Sequence, residues 1–168
     1  MPDQETYRRR SARVVLVDEA GRVLLLKSHT DPDAPDRGHD WSTPGGGVEE
    51  GETLAEAAAR ELFEETGLSV TSEALGSPVA QTSGHADLGW AEGLFQDVFF
   101  HLRVRDHQVD TGGQEEHEAR HHAGHRWWTV EELTVGAEAV RPSGLGDLVA
   151  DLLAGRVPAE PRRLPWHH

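Results

Sequence analysis

Residues 44–70 read PGGGVEEGETLAEAAARELFEETGLSV, and this stretch decides how the rest of the chain is understood. Three glycines follow a proline, then an alanine-rich run predicts a helix from about Thr53 to Thr66, with Gly67 as its stop. At about 100° per residue, Glu61, Glu64 and Glu65 project within an arc of roughly 100°. Ala55, Ala58, Ala59 and Leu62 fall on another face, suited to packing on a sheet. Like charges this close repel, and the chain already carries a formal net charge of −14. A solvated acidic helix face would leave that repulsion to water. A hard divalent cation would remove it, and Mg²⁺ meets proteins through a few carboxylates while holding phosphate oxygens.

Spacing sharpens the second reading. Glu52 precedes Arg60 by eight residues, at the opposite end of the helix, and an arginine beside the cluster can bridge to a carboxylate bidentately. The glycines ahead of the helix accept backbone angles closed to other residues and would let a carbonyl turn towards a metal.

Gly46, Glu52, Arg60, Glu61, Leu62, Glu64, Glu65, Gly67 and Leu68 stand at the spacing G-x5-E-x7-R-E-U-x-E-E-x-G-U, U being aliphatic. In this the chain resembles the Nudix hydrolase family over residues 46–68. The resemblance implies a mixed-sheet α/β/α sandwich and a metal-dependent pyrophosphohydrolase, which cleaves a nucleoside diphosphate linked to another group. It implies that Glu61 and Glu65 bind Mg²⁺ or Mn²⁺, and that Glu64 is a ligand or orients the attacking water. The carbonyl of Gly45 would complete the coordination, while Glu52 and Arg60 support the site structurally. Family members often add a carboxylate from a later loop. Glu115, Glu116 and Glu118 are available here, and Glu118 is favoured by its place before the Trp127–Trp128 strand.

The flanking chain agrees with an α/β layered fold. Val14–Val17 and Val23–Leu26 predict two strands joined by a turn at Asp18–Gly21, and residues 29–40 predict a polar loop. Trp41 begins a brief extended stretch that Pro44 and the glycines end. Residues 68–82 suggest one or two strands. Val98, Phe100, Leu102 and Val104 share one parity, which predicts a strand with one buried face. Residues 106–124 are polar and predict a loop that closes over substrate. HRWWT, residues 125–129, predicts a strand with one tryptophan in the core. Thr129 and Glu132 form a capping box, and a last amphipathic helix spans about Ser143 to Ala154, burying Leu145, Leu148, Val149 and Leu152. One domain over residues 1–168 is expected, with 1–11 and 156–168 peripheral.

Composition narrows the function classes. Thirty Asp plus Glu against sixteen Lys plus Arg disfavour nucleic-acid backbone as a partner and leave a small nucleotide met through metal. The absence of cysteine excludes disulfides, thiolate nucleophiles and Cys-ligated zinc. No apolar run reaches the roughly 18 residues of a membrane span, so a cytoplasmic protein without a membrane partner is expected; a homodimer is compatible with the sequence. His117, His121 and His125 have the spacing of a zinc site only if helical, and a solvated loop is the preferred reading. The alternative function is a nucleotide-sensing module of the same fold that does not hydrolyse; the intact carboxylates favour the enzyme.

Overall fold

The computed structural model describes residues 7–29, 33–34, 38–87, 89, 92–105, 107–109, 122–135 and 139–166. Its strands are β1 (Arg9–Val17), β2 (Val23–His29), β3 (His39–Ser42), β4 (Gly45–Gly47), β5 (Ala80–Asp87), β6 (Glu92–Arg103), β7 (His122–Trp128), β8 (Val140–Arg141) and β9 (Arg162–Arg163). Its α-helices are α1 (Leu54–Thr66), α2 (Val130–Val135) and α3 (Leu145–Leu153). The strands form one mixed sheet in the order β8-β3-β2-β1-β6-β5-β9, with β4 paired to β1 and β7 to β2. At its centre β1 and β6 run parallel, from Arg9 opposite Phe95 to Val17 opposite Arg103.

The two faces follow from strand alternation. Ala12, Val14 and Leu16 of β1 join Ala57, Ala58 and Leu62 of α1 in one buried cluster. Val15 and Val17 turn the other way and join Leu145, Leu148, Val149 and Leu152 of α3. Helices thus cover both faces of the sheet, which is the expected α/β/α sandwich, and the unbroken VVLV run of β1 is buried on both sides. The same logic corrects the single buried face expected of β6. Val98 and Phe100 lie on the α1 side, while Phe99 lies in the α3 cluster.

Several boundaries differ from the expectations for physical reasons. The glycines at 45–47 do not merely end an extended stretch, because they pair with Ser11, Ala12 and Arg13 as a strand of their own. Residues 68–79 contain no strand; Ser72–Leu75 form a 3-10 turn capped by Thr71. β7 starts at His122, earlier than the apolar pattern indicated, because its backbone pairs along β2 from Ser28 to Val23. Residues 9–11 and 162–164 are not peripheral. The former open the central strand, and the latter pair with β5 and bury Leu164. The core tryptophan is Trp128, edge-on to Trp41 at 5.2 Å between ring centroids. The Thr129–Glu132 capping box forms at the start of α2. No described helix is long and apolar enough to cross a membrane.

Candidate active site

The acidic helix is pinned at both ends. Thr53 accepts from the Glu56 N–H at 3.1 Å, and the Glu56 carboxylate accepts from the Thr53 N–H at 2.9 Å, a reciprocal cap. At the other end Gly67 takes φ 78° and donates to the Phe63 carbonyl. A β-carbon is disfavoured at that angle, which is why glycine ends the helix there. His107 Nε2 lies 2.7 Å from the Thr66 carbonyl, tying the chain after β6 to the last turn.

Between these caps Ala57, Ala58 and Leu62 seat α1 on the sheet, and Glu61 and Glu65 are drawn below the surface at 4% and 9% exposure. They meet the glycine strand β4. A β-carbon at Gly46 would stand 2.6 Å from Glu61 Oε1, so only glycine permits this approach. The Gly45 N–H donates to Glu65 Oε1 at 3.3 Å. On the opposite side of β4, a β-carbon at Gly45 would meet the Ala12 carbonyl at 2.4 Å, and one at Gly47 would meet the Arg9 guanidinium at 2.6 Å. Each glycine of the run therefore answers a separate contact.

Arg60 links the loop to the helix. Its Nε and Nη2 donate to the two Glu52 oxygens at 2.8 and 2.9 Å, and Nη2 also reaches the Gly47 carbonyl at 3.0 Å. Nη1 donates to Glu61 Oε1 at 2.9 Å and to Glu64 Oε2 at 3.4 Å. Hydrogen bonding from Arg60 holds the Glu52 carboxyl below its usual range. Reciprocally, Glu52 first and then Glu61 raise the Arg60 pKa, so the guanidinium remains charged. Glu52 precedes the N-cap Thr53 and so lies in the loop, which corrects its expected place at the end of the helix.

Among the described residues, no three His, Asp or Glu side chains converge as a ready-made metal cage. Glu61 and Glu65 face the glycine strand, and the Arg60 nitrogen that donates to Glu61 also reaches Glu64. Two carboxylates still suit Mg²⁺, which commonly takes one or two from the protein and completes its shell with water and substrate phosphate. Glu61 Oε2 is buried and has no hydrogen-bond partner, a donor atom that a cation would satisfy. Glu115, Glu116, His117, Glu118 and His121, and with them residues 106 and 110–121 of the closing loop expected over 106–124, lie outside the described residues. His125 is an exposed residue of strand β7, so the helical spacing proposed for the histidines does not extend to it.

Beside the glycine strand, on the face opposite Glu61, a cavity of about 240 Å³ opens between Arg9, Arg13, Arg141, Asp97, Phe95 and Trp166. Thr43 also lines it; its hydroxyl is buried and has no partner. Sequence reasoning missed the arginines and the Trp166 wall of this pocket. The alternation of Arg9, Ser11 and Arg13 against Ala12 and Val14 could have signalled a polar face at the start of β1. Nothing local announced Trp166, which reaches the site through a strand pairing.

A mixed sheet between helices, with an acidic helix seated on a glycine strand beside an arginine-lined pocket, defines an α/β/α sandwich. The chain belongs to the NUDIX domain family, whose model matches residues 7–151. It is 40% identical over 55 residues to an RNA pyrophosphohydrolase of Azorhizobium caulinodans, covering 33% of either chain. It is also 40% identical over 62 residues to a dihydroneopterin triphosphate diphosphatase of Escherichia coli, covering 37% of either chain. The matches span about a third of these relatives' length. In fold it is similar to the MutT protein of Methanosarcina mazei, with a TM-score of 0.60 at 22% identity over 91% of this chain and 98% of that one.

Proposed function

We propose that the chain is a divalent-metal-dependent hydrolase that cleaves a phosphoric anhydride bond in a small nucleoside diphosphate derivative. The observation that carries this is the buried, unpartnered Glu61 Oε2, held beside Glu65 against a strand that must be glycine. Glu61 and Glu65 would hold Mg²⁺ or Mn²⁺, with the Gly45 carbonyl as a further donor. When bound, the ion would neutralise the diphosphate and polarise phosphorus. Glu64 would act as a further ligand or orient the attacking water, and Arg60 keeps its carboxylate directed. Water attacks one phosphorus, the bridging P–O bond breaks, and the other phosphate leaves with the bridging oxygen. Glu118 would accept the water's proton.

The names of the relatives, RNA pyrophosphohydrolase and dihydroneopterin triphosphate diphosphatase, both concern phosphate anhydrides, one on a polymer and one on a small heterocycle. The net charge of −14 and the compact arginine-lined pocket support the small-molecule side. A cytoplasmic location fits such a substrate.

The test is phosphate and pyrophosphate release across a panel of nucleoside triphosphates, nucleotide sugars and dinucleoside polyphosphates. Turnover should require Mg²⁺ or Mn²⁺, vanish in excess chelator and return when the ion is restored. Full activity in chelator would refute the metal reading. In the same assay Glu118→Gln should reduce turnover about 10²-fold, as expected for a positioned proton acceptor. If it stays near normal, the base lies elsewhere.

A further inference from the structure

The chain leaves α3 and reaches the sheet edge through residues 155–161, which are exposed except for half-buried Pro158. Pro161 and Pro165, which have no N–H to give to a sheet, bracket β9. That strand pairs for two residues, Arg162 and Arg163 against Ala80 and Gln81 of β5. The Arg162 N–H donates to the Val79 carbonyl and the Leu164 N–H to the Gln81 carbonyl, each at 2.9 Å. Of residues 154–166, Leu164 is the one that is buried, and it joins the α3 side of the core. Beyond it the Trp166 indole lies on Gly84 and donates to the His85 carbonyl at 3.2 Å. The ring packs with Ala86 and Phe95 in a small apolar cluster apart from the two main ones, and all three line the arginine-lined pocket.

A charged latch joins this segment to α3. One oxygen of Asp151, in the last turn, accepts from Arg156 Nε and Nη2 at 3.0 and 2.8 Å, and the other accepts from Arg162 Nη2. Arg156 first and then Arg162 hold the Asp151 carboxyl below its usual range. The carboxylate thus ties down both ends of the exposed bridge. These links are slight beside those of the central sheet, where β1 pairs with β6 from Arg9 to Val17 between two apolar clusters. A segment with little buried apolar surface and exposed hydrogen bonds opens at lower free energy than the core.

We propose that residues 156–166 are a releasable strap: latched by Asp151, they dock as a unit that closes one side of the arginine-lined pocket, and they detach while the sheet and α1 stay folded. The strap needs no turnover to be observed, so it stands or falls apart from the hydrolase reading.

Two measurements on the full chain test it. In wild-type amide exchange, followed by NMR, the Arg162 and Leu164 N–H should be about 10²-fold less protected than the central amides of β1 and β6. Low urea should barely change exchange at Leu164 and should speed it steeply in β1 and β6, because undocking exposes little surface. The second measurement uses the absence of cysteine in the chain. Ala86→Cys places a thiol beneath Trp166, inside the pocket, and a disulfide reagent reports when that wall opens. Labelling should be slower than for an exposed thiol and nearly independent of low urea. Adding Asp151→Asn should speed it about fivefold, the upper range for an exposed ion pair. Exchange at Leu164 with the protection and urea dependence of the central amides overturns the proposal, since the segment would then leave only on global unfolding. Labelling at the rate of an exposed thiol overturns it from the other side, because the strap would never dock. Unchanged labelling with Asp151→Asn removes the latch and overturns it as well.

Discussion

Glu65→Gln is expected to lower turnover by about 10³-fold or more, while the protein keeps its fold. The substitution preserves size and an oxygen able to accept from the Gly45 N–H, 3.3 Å from Glu65 Oε1 in the native arrangement. What it removes is the charge proposed to hold the metal. Metal ions supply several kcal/mol of transition-state stabilisation, and about 4 kcal/mol corresponds to three orders of magnitude in rate. Glu52→Gln makes the comparison informative. Glu52 touches Arg60 and the Glu49 N–H, and reaches the metal side of the site only through the guanidinium. It should cost less turnover and more stability. Steady-state rates with matched thermal melts decide the matter, and indistinguishable profiles for the two variants would dissolve the division between metal-holding and supporting carboxylates.

Arg60→Ala is expected to be the most destabilising single change at the site, by about 2–4 kcal/mol in urea denaturation with chelator present. Breaking a buried ion pair from one side costs about 3–5 kcal/mol, discounted here because the Arg60 side chain is 23% exposed. The loss is large because Glu61, 5% exposed at its side chain, would be left below the surface without its counter-charge. Added Mg²⁺ should restore part of the stability, since a ligand bound only by the folded state favours that state. A change below about 0.5 kcal/mol would mark the cluster as an ordinary surface network instead. The pH dependence has a definite sign. The folded-state pKa of Glu52 is depressed, chiefly by its hydrogen bond from Arg60. Its contribution is therefore present above its unfolded value of 4.5 and is lost as pH falls through the lower folded value. Wild-type stability should decline over that acid window, and Arg60→Ala should show a shallower decline there.

The helix, its caps and its pairing to the loop were legible in the chain because they depend on residues close in sequence. Thr53, Glu56 and Gly67 act within a turn of the helix ends, and Glu52 to Arg60 spans a single loop and two turns. The buried faces of α3 were equally legible, since a 3.6-residue period records which side meets the core. β6 was read only in half. Alternation reveals one buried face, and the burial of Phe99 on the other depends on α3, which lies more than forty residues later.

The sequence by itself determined the family, the acidic helix and the identities of the residues proposed to carry the chemistry. Their spacing is a local code, enforced by helical geometry and by backbone angles that glycine alone accepts. Only the tertiary structure decided that Glu61 and Glu65 face β4 and that one Arg60 nitrogen reaches both Glu61 and Glu64. It alone set Arg9 and Arg13 on the far side of that strand, and brought Trp166 onto Gly84, eighty-two residues away in sequence. Such meetings follow from strand order and register, which arise from the packing of the whole sheet and leave no periodic trace in any one segment.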